Sequence, residues 1–162
     1  MVRNLGELGL NLQKIMNRLM SNQNLLKLLY YTDKDPLNGA DLTKEQIESL
    51  IFGKLIKIIP RVGPKETAQS IVSLRVVRGK TNIENGEFRD ISLGIEVFVP
   101  LTQWLIKSDS LRPFCIMGEI QKSLCDKNVN GLGKIVGGDF SLNFLTDEIS
   151  CYEMTFEIIN YE

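Results

Sequence analysis

Histidine is absent from this sequence of 162 residues, tryptophan occurs once and cysteine three times. The missing imidazole excludes Ser-His-Asp and Cys-His catalysis, the commonest zinc sites and the usual proton shuttle near neutral pH. The cysteines (Cys115, Cys125 and Cys151) are odd in number and lack metal-ligand spacing. They fit buried thiols in a reducing cytoplasm better than a disulfide framework. An excess of either charge is missing too. Nineteen Lys and Arg stand against 20 Asp and Glu, so nothing draws the chain as a whole toward nucleic acid or an anionic membrane. No apolar run approaches the roughly 20 residues that span a bilayer. Glu7, Asn11 and Gln13 interrupt any signal-peptide core near the start. The balance that remains, 43% hydrophobic and 24% charged, is that of one globular domain over residues 1–162, with a core of its own.

What is present begins with the strand at residues 91–100. Ile91, Leu93, Ile95, Val97 and Val99 share one face of a pleated strand, and Asp90, Ser92, Gly94, Glu96 and Phe98 share the other. Before it, Leu5, Leu8, Leu12, Met16 and Leu19 recur at helical spacing. The apolar pattern resumes at Leu25, which gives either one long helix or two with a break near Ser21. Thr43 and Gln46 form a capping box that launches a helix over residues 44–52, ended by Gly53. Residues 54–62 read as an extended connector or edge strand, because Pro60 keeps them from a sheet centre. Residues 67–78 form a strand that pairs with 88–100 through a long polar tip at 79–87. Pro113 opens a helix running to about Lys127, with Phe114, Met117, Ile120 and Leu124 in one stripe. The glycine-rich segment 128–138 reads as a flexible connector. Alternation at Phe140, Leu142 and Phe144, and again at Tyr152, Met154, Phe156 and Ile158, gives a closing hairpin turned at Thr146-Asp147-Glu148.

The expected fold is therefore α+β, in the order α-α-β-β-α-β-β. Four antiparallel strands in two hairpins carry helices on one face. The expected core is the odd set of the 91–100 strand, the even set of the last strand, and the stripe Phe114, Met117, Ile120 and Leu124.

Few motifs offer chemistry. Gly131-Leu132-Gly133-Lys134 lacks the preceding strand, the spaced glycine and the Ser or Thr of a phosphate-binding loop. Glu96 with Glu153 or Glu157 could pair across the sheet for acid–base work, but alternating Glu and Thr reads as a solvated or subunit-facing surface. Cys115 reads as a structural thiol. No catalytic, cofactor-binding or metal-ligating residue is assigned. The candidate interface comprises Lys80, Thr81, Asn82, Glu84 and Asn85 in the hairpin tip, with Glu153 and Glu157 on the sheet and Arg112 before Pro113. A cation at a helix N-terminus opposes the macrodipole, so Arg112 needs a compensating partner, expected to be an acid on a neighbouring subunit.

The run Leu25-Leu26-Lys27-Leu28-Leu29-Tyr30-Tyr31, the Asp35-Pro36-Leu37 loop and a strand pair ending near Trp104 carry a resemblance. The Arg112-Pro113 step, the following helix with Glu119 and the closing hairpin extend it over roughly Leu5 to Tyr161. In these features the chain resembles the tail-terminator, or tail-completion, proteins of the head–tail junction of tailed bacteriophages. The resemblance implies a structural virion protein without enzymatic activity or cofactor, assembled in the host cytoplasm. It implies a homo-oligomeric, hexameric ring that caps the tail tube, ends its polymerisation and meets the head connector or neck, with DNA passing through the lumen without specific binding. Other neck and sheath-terminator proteins share the pattern. A small ligand-binding or regulatory α+β domain is the alternative of another class.

Overall fold

The structure, a computed structural model, describes residues 5–58, 68–81, 89–107, 109–129 and 132–159. Two helices open it, α1 (Leu8–Met20) and α2 (Gln23–Tyr30). Asn22 separates them, because its side chain accepts from the backbone N–H of Leu25 and caps α2. Its amide also donates to Glu119 Oε2 at 3.0 Å and to Ser123 Oγ at 2.9 Å, tying α2 to the later helix α4 (Arg112–Leu124). The capping box at Thr43 launches α3 (Lys44–Gln46), which widens into a π-helical turn, Ile47–Ile51. Gly53, at φ 70°, ends it in the left-handed region.

Six strands follow: β1 (Ile56–Lys57), β2 (Ile71–Thr81), β3 (Arg89–Pro100), β4 (Asn128–Val129), β5 (Gly133–Leu145) and β6 (Ile149–Ile159). They form one sheet in the order β1-β2-β3-β6-β5-β4. β1 and β2 are parallel, and every other neighbouring pair is antiparallel. The expectation of four antiparallel strands is corrected by these pairings. The two hairpins exist and join through β3 and β6, but a short strand is added at each edge, one of them parallel. Two-residue strands carry no alternation, so nothing in the pattern announces them. The glycine-rich segment expected as a connector is β4 and the start of β5. Gly137 and Gly138, at φ 106° and 103°, bend β5 through a bulge that an L side chain would strain.

Register explains the core. Ile91, Leu93 and Ile95 lie opposite Ile158, Phe156 and Met154, and all six are buried beneath the helices. Phe114, expected in the core, is 41% exposed, and Tyr152 is half-buried. The opposite face departs further from expectation. Glu96, Ser73 and Phe98 are buried there, where Arg75 and Asn143 reach Glu96 and the Phe144 ring meets that of Phe98. Neighbouring side chains do the covering.

Candidate functional site

That outer face holds the main cluster of charge. Glu96 and Glu153 lie directly opposite each other on β3 and β6, a repulsive arrangement by itself. Arg75, on β2, resolves it. Its Nη1 lies 3.3 Å from Glu96 Oε1 and its Nη2 2.7 Å from Glu153 Oε1. The guanidinium crosses the sheet over Gly94, whose absent side chain makes room. A Cβ there would stand 2.7 Å from both Glu153 Oε1 and Val77 Cγ2. Asn143 of β5 donates to Glu96 at 3.0 Å, and Ser92 donates to Glu157. The hydrogen bond from Glu153 is the first cause that pushes the Arg75 pKa up. Beneath the cluster, burial first and the Glu96 charge second push the Cys151 thiol up to about 12. The group clamps β2, β3, β6 and β5 together.

Arg112 lies on the helix side and is fully buried, so no surface salt bridge and no neighbouring subunit's acid reaches it. Its Nη1 donates to the carbonyls of Leu28 and Tyr31 at 2.7 Å each, its Nη2 to that of Asp33, and its Nε to that of Gln103 at 2.9 Å. Leu28 and Tyr31 belong to the last turn and C-cap of α2, where carbonyls lack intrahelical partners and the dipole is negative. The cation that α4 disfavours at its own N-terminus is the C-terminal cap of α2. Burial pushes the guanidinium pKa down, and Asp33 partly restores it. Gln103 extends the joint by donating to the Ala68 carbonyl and accepting from Ser70.

A third region is apolar and open. Phe114, Phe140 and Tyr152 form a triangle of ring contacts with centroids 5.4–6.3 Å apart, and Trp104 lies against Tyr152 at 6.3 Å. Phe140, Leu142, Leu145 and Leu105 are between 50% and 59% exposed. The three leucines border a cleft of about 590 Å³ whose lining also includes Trp104, Tyr152 and Lys34. On the opposite face of β5, Phe144 leans on Phe98.

The candidate residues of the sequence do not converge. Lys80 is exposed near the end of β2, and Thr81 is its last residue. Asn82, Glu84, Asn85 and most of the 79–87 tip lie outside the described residues. Glu153 and Glu157 share the outer face, and Arg112 sits in the interior on the other side. Lys134, the second residue of β5, pairs with Asp126 at 2.9 Å, a setting unlike a phosphate loop. The apolar shelf was missed. Its signal lay in β5, where Phe140, Leu142, Phe144 and Leu145 place large apolar groups on both parities. Among the described residues, no cluster of His, Cys, Asp and Glu could hold a metal ion, and no helix is long and apolar enough to cross a membrane.

Compared with curated proteins and with solved structures, the chain matches none. A family model does match, that of YomW, over residues 22–158. The chain belongs to the YomW family, a phage-associated family of Bacillus-prophage-like proteins.

Proposed function

We propose that this member of a phage-associated family is a structural component of the phage particle. It forms a ring at the head–tail junction that caps the tail tube and joins it to the head connector. The observation that carries this reading is the exposed apolar shelf. Phe140, Leu142, Leu145 and Leu105 stand at least half in solvent beside Trp104 and Phe114, and a contiguous apolar surface of this kind marks a place where another molecule packs. A protein that works by assembly needs such surfaces and needs no reactive group. The resemblance to tail terminators supplies the level of the ring and its number of about six protomers, and closed cyclic symmetry supplies its shape.

The test is deletion of the gene in the phage, with electron microscopy of the lysate. Headless tails of uncontrolled length are expected. Particles with normal, joined tails would overturn the reading. A second reading, a ligand-binding domain, is favoured by the cleft of about 590 Å³, which lies in the size range of small-molecule sites. A monomer that is stabilised by an apolar anion held at Lys34, in a phage that assembles without the protein, would favour that reading instead.

A further inference from the structure

The sheet ends in two stepped edges. Among the described residues, β1 pairs with β2 only at Val72 and Ser73, and none of them pairs with the run Leu74 to Thr81 on that side. At the other edge β4 pairs with β5 only at Gly133 and Lys134, and the backbone of Ile135 is bonded to Asp126 and Lys127, which leaves the run Val136 to Leu145 open among the described residues. The two short strands sit at opposite ends of the sheet. β1 lies at the level of Glu96 and Val97, whereas β4 lies next to the Ile159 end of β6. Two copies placed side by side in the same orientation therefore set the recess of one edge against the step of the other.

Charge follows the same plan. The open run of β2 carries Arg75, Arg78 and Lys80 and no acid; the open run of β5 carries Asp139 and no base, with Asp147 and Glu148 in the turn beyond it. Arg78, Lys80, Asp139, Asp147 and Glu148 are all exposed. Pairing β2 with β2 would set like charges against each other. The β5 run also lacks the lysine or proline with which exposed edges are normally blunted. On the helix side, Leu142 and Leu145 flank the β5 edge. Phe52, 44% exposed, bridges to Ile56 of β1 at the same level.

We infer that copies of this chain join head to tail, the acidic, apolar β5 edge of one meeting the basic β1–β2 edge of the next, so that the sheet continues from subunit to subunit. The contact is heterologous, the kind that closes into a ring when its rotation permits. The inference rests on the ring reading and names the surface that builds it.

The experiment reverses charge at one edge at a time. One variant carries Arg78→Glu with Lys80→Glu, the other Asp139→Lys with Ser141→Lys. Native mass spectrometry and sedimentation compare each with the wild type, and a thermal melt checks that each is folded. The expected result is a wild-type ring, its loss to monomer in either variant alone, and its return when the two are mixed. In the mixture both edges are again complementary, and the restored ring holds equal numbers of each. Should a pair lower the melting temperature, Lys80→Glu and Ser141→Lys alone are expected to act in the same direction to a smaller extent. Rings that persist in both variants, or no recovery on mixing, overturn the edge assignment and leave the ring reading standing. A wild type that is monomeric at every concentration overturns the ring and this inference with it.

Discussion

Arg75 and Arg112 both fold their guanidinium groups into this protein, one on each side of the sheet. Arg75 is 29% exposed at its side chain and meets two carboxylates. Arg112 is wholly buried and meets carbonyls alone. Arginine has five N–H donors in a planar fork, and either set of acceptors suits it. The difference is one of consequence. The Arg75 cluster, at the surface and in partial contact with water, neutralises a cross-strand clash. Arg112 satisfies the end of a helix from a fully buried position, so its loss leaves several carbonyls without their donor at once. A buried charge can thus be structural with carbonyls as its hydrogen-bond partners, the nearby Asp33 carboxylate acting on it only through its charge.

The largest effect that would break this comparison is at Arg112. Arg112→Met is expected to destabilise the protein by roughly 3–5 kcal/mol, because the C-terminal carbonyls of α2 lose the charged donor that caps them. Arg112→Lys should lose most of that as well, since one ammonium cannot span acceptors placed around a fork. Urea titration of dilute protein measures both. A lysine variant within 1 kcal/mol of wild type, by the approximate span of neutral surface changes, would mean that the fork geometry is not what matters.

Next comes Gly94→Ala. The added methyl displaces Glu153 or Val77 from their 2.7 Å approach, with an expected loss of roughly 1–3 kcal/mol. In a Glu153→Ala background the loss should shrink, and a full loss there would put the strain elsewhere than in the Arg75 cluster.

Cys151 sharpens the same side through pH. Its folded pKa of about 12 stands above that of an unfolded thiol, so the folded state holds its proton while the unfolded chain releases it. Stability due to this group is therefore intact below the unfolded value and falls as pH rises from there toward 12. The slope is at most about 1.4 kcal/mol per pH unit. Wild type and Cys151→Ala, compared by denaturation between the two values, should diverge in slope; parallel curves would show that the thiol is not sealed.

The smallest effect is at Ser92, whose hydroxyl donates to Glu157 on the exposed part of the same face. Ser92→Ala should change stability by roughly 0.5–1 kcal/mol. A loss as large as that of Gly94→Ala would show that the whole outer face, and not only the Arg75 cluster, is sealed.

Much of this was legible beforehand because it is local. Ile91 to Val99 alternate with the pleat, and every odd member is buried. Thr43 and Gln46 form their cap within four residues, and the break at Ser21 was one of two readings the polar Asn22 allowed. Glu96 shows where local reasoning stops. Its position in the alternation faces outward, yet its burial depends on Arg75, Asn143 and Glu153 arriving from three other strands.

The sequence by itself determined the long periodic elements, the helices α1, α2 and α4 and the strands β2, β3 and β6, and which face of β3 and β6 lies inward, since the periods of 2 and 3.6 are set by backbone geometry. Tertiary structure alone decided the order of the strands, the acceptors of Arg112 and the exposure of the β5 edge. Arg112 finds Leu28 and Tyr31 across about 80 residues of chain, at separations of 84 and 81. The β5 edge is open because β4 is two residues long. Neither fact has a period, a cap or a turn to announce it. Both follow from where distant segments come to rest, and there the acceptors for a buried cation and the unpaired side of a strand are settled by what arrives and what does not.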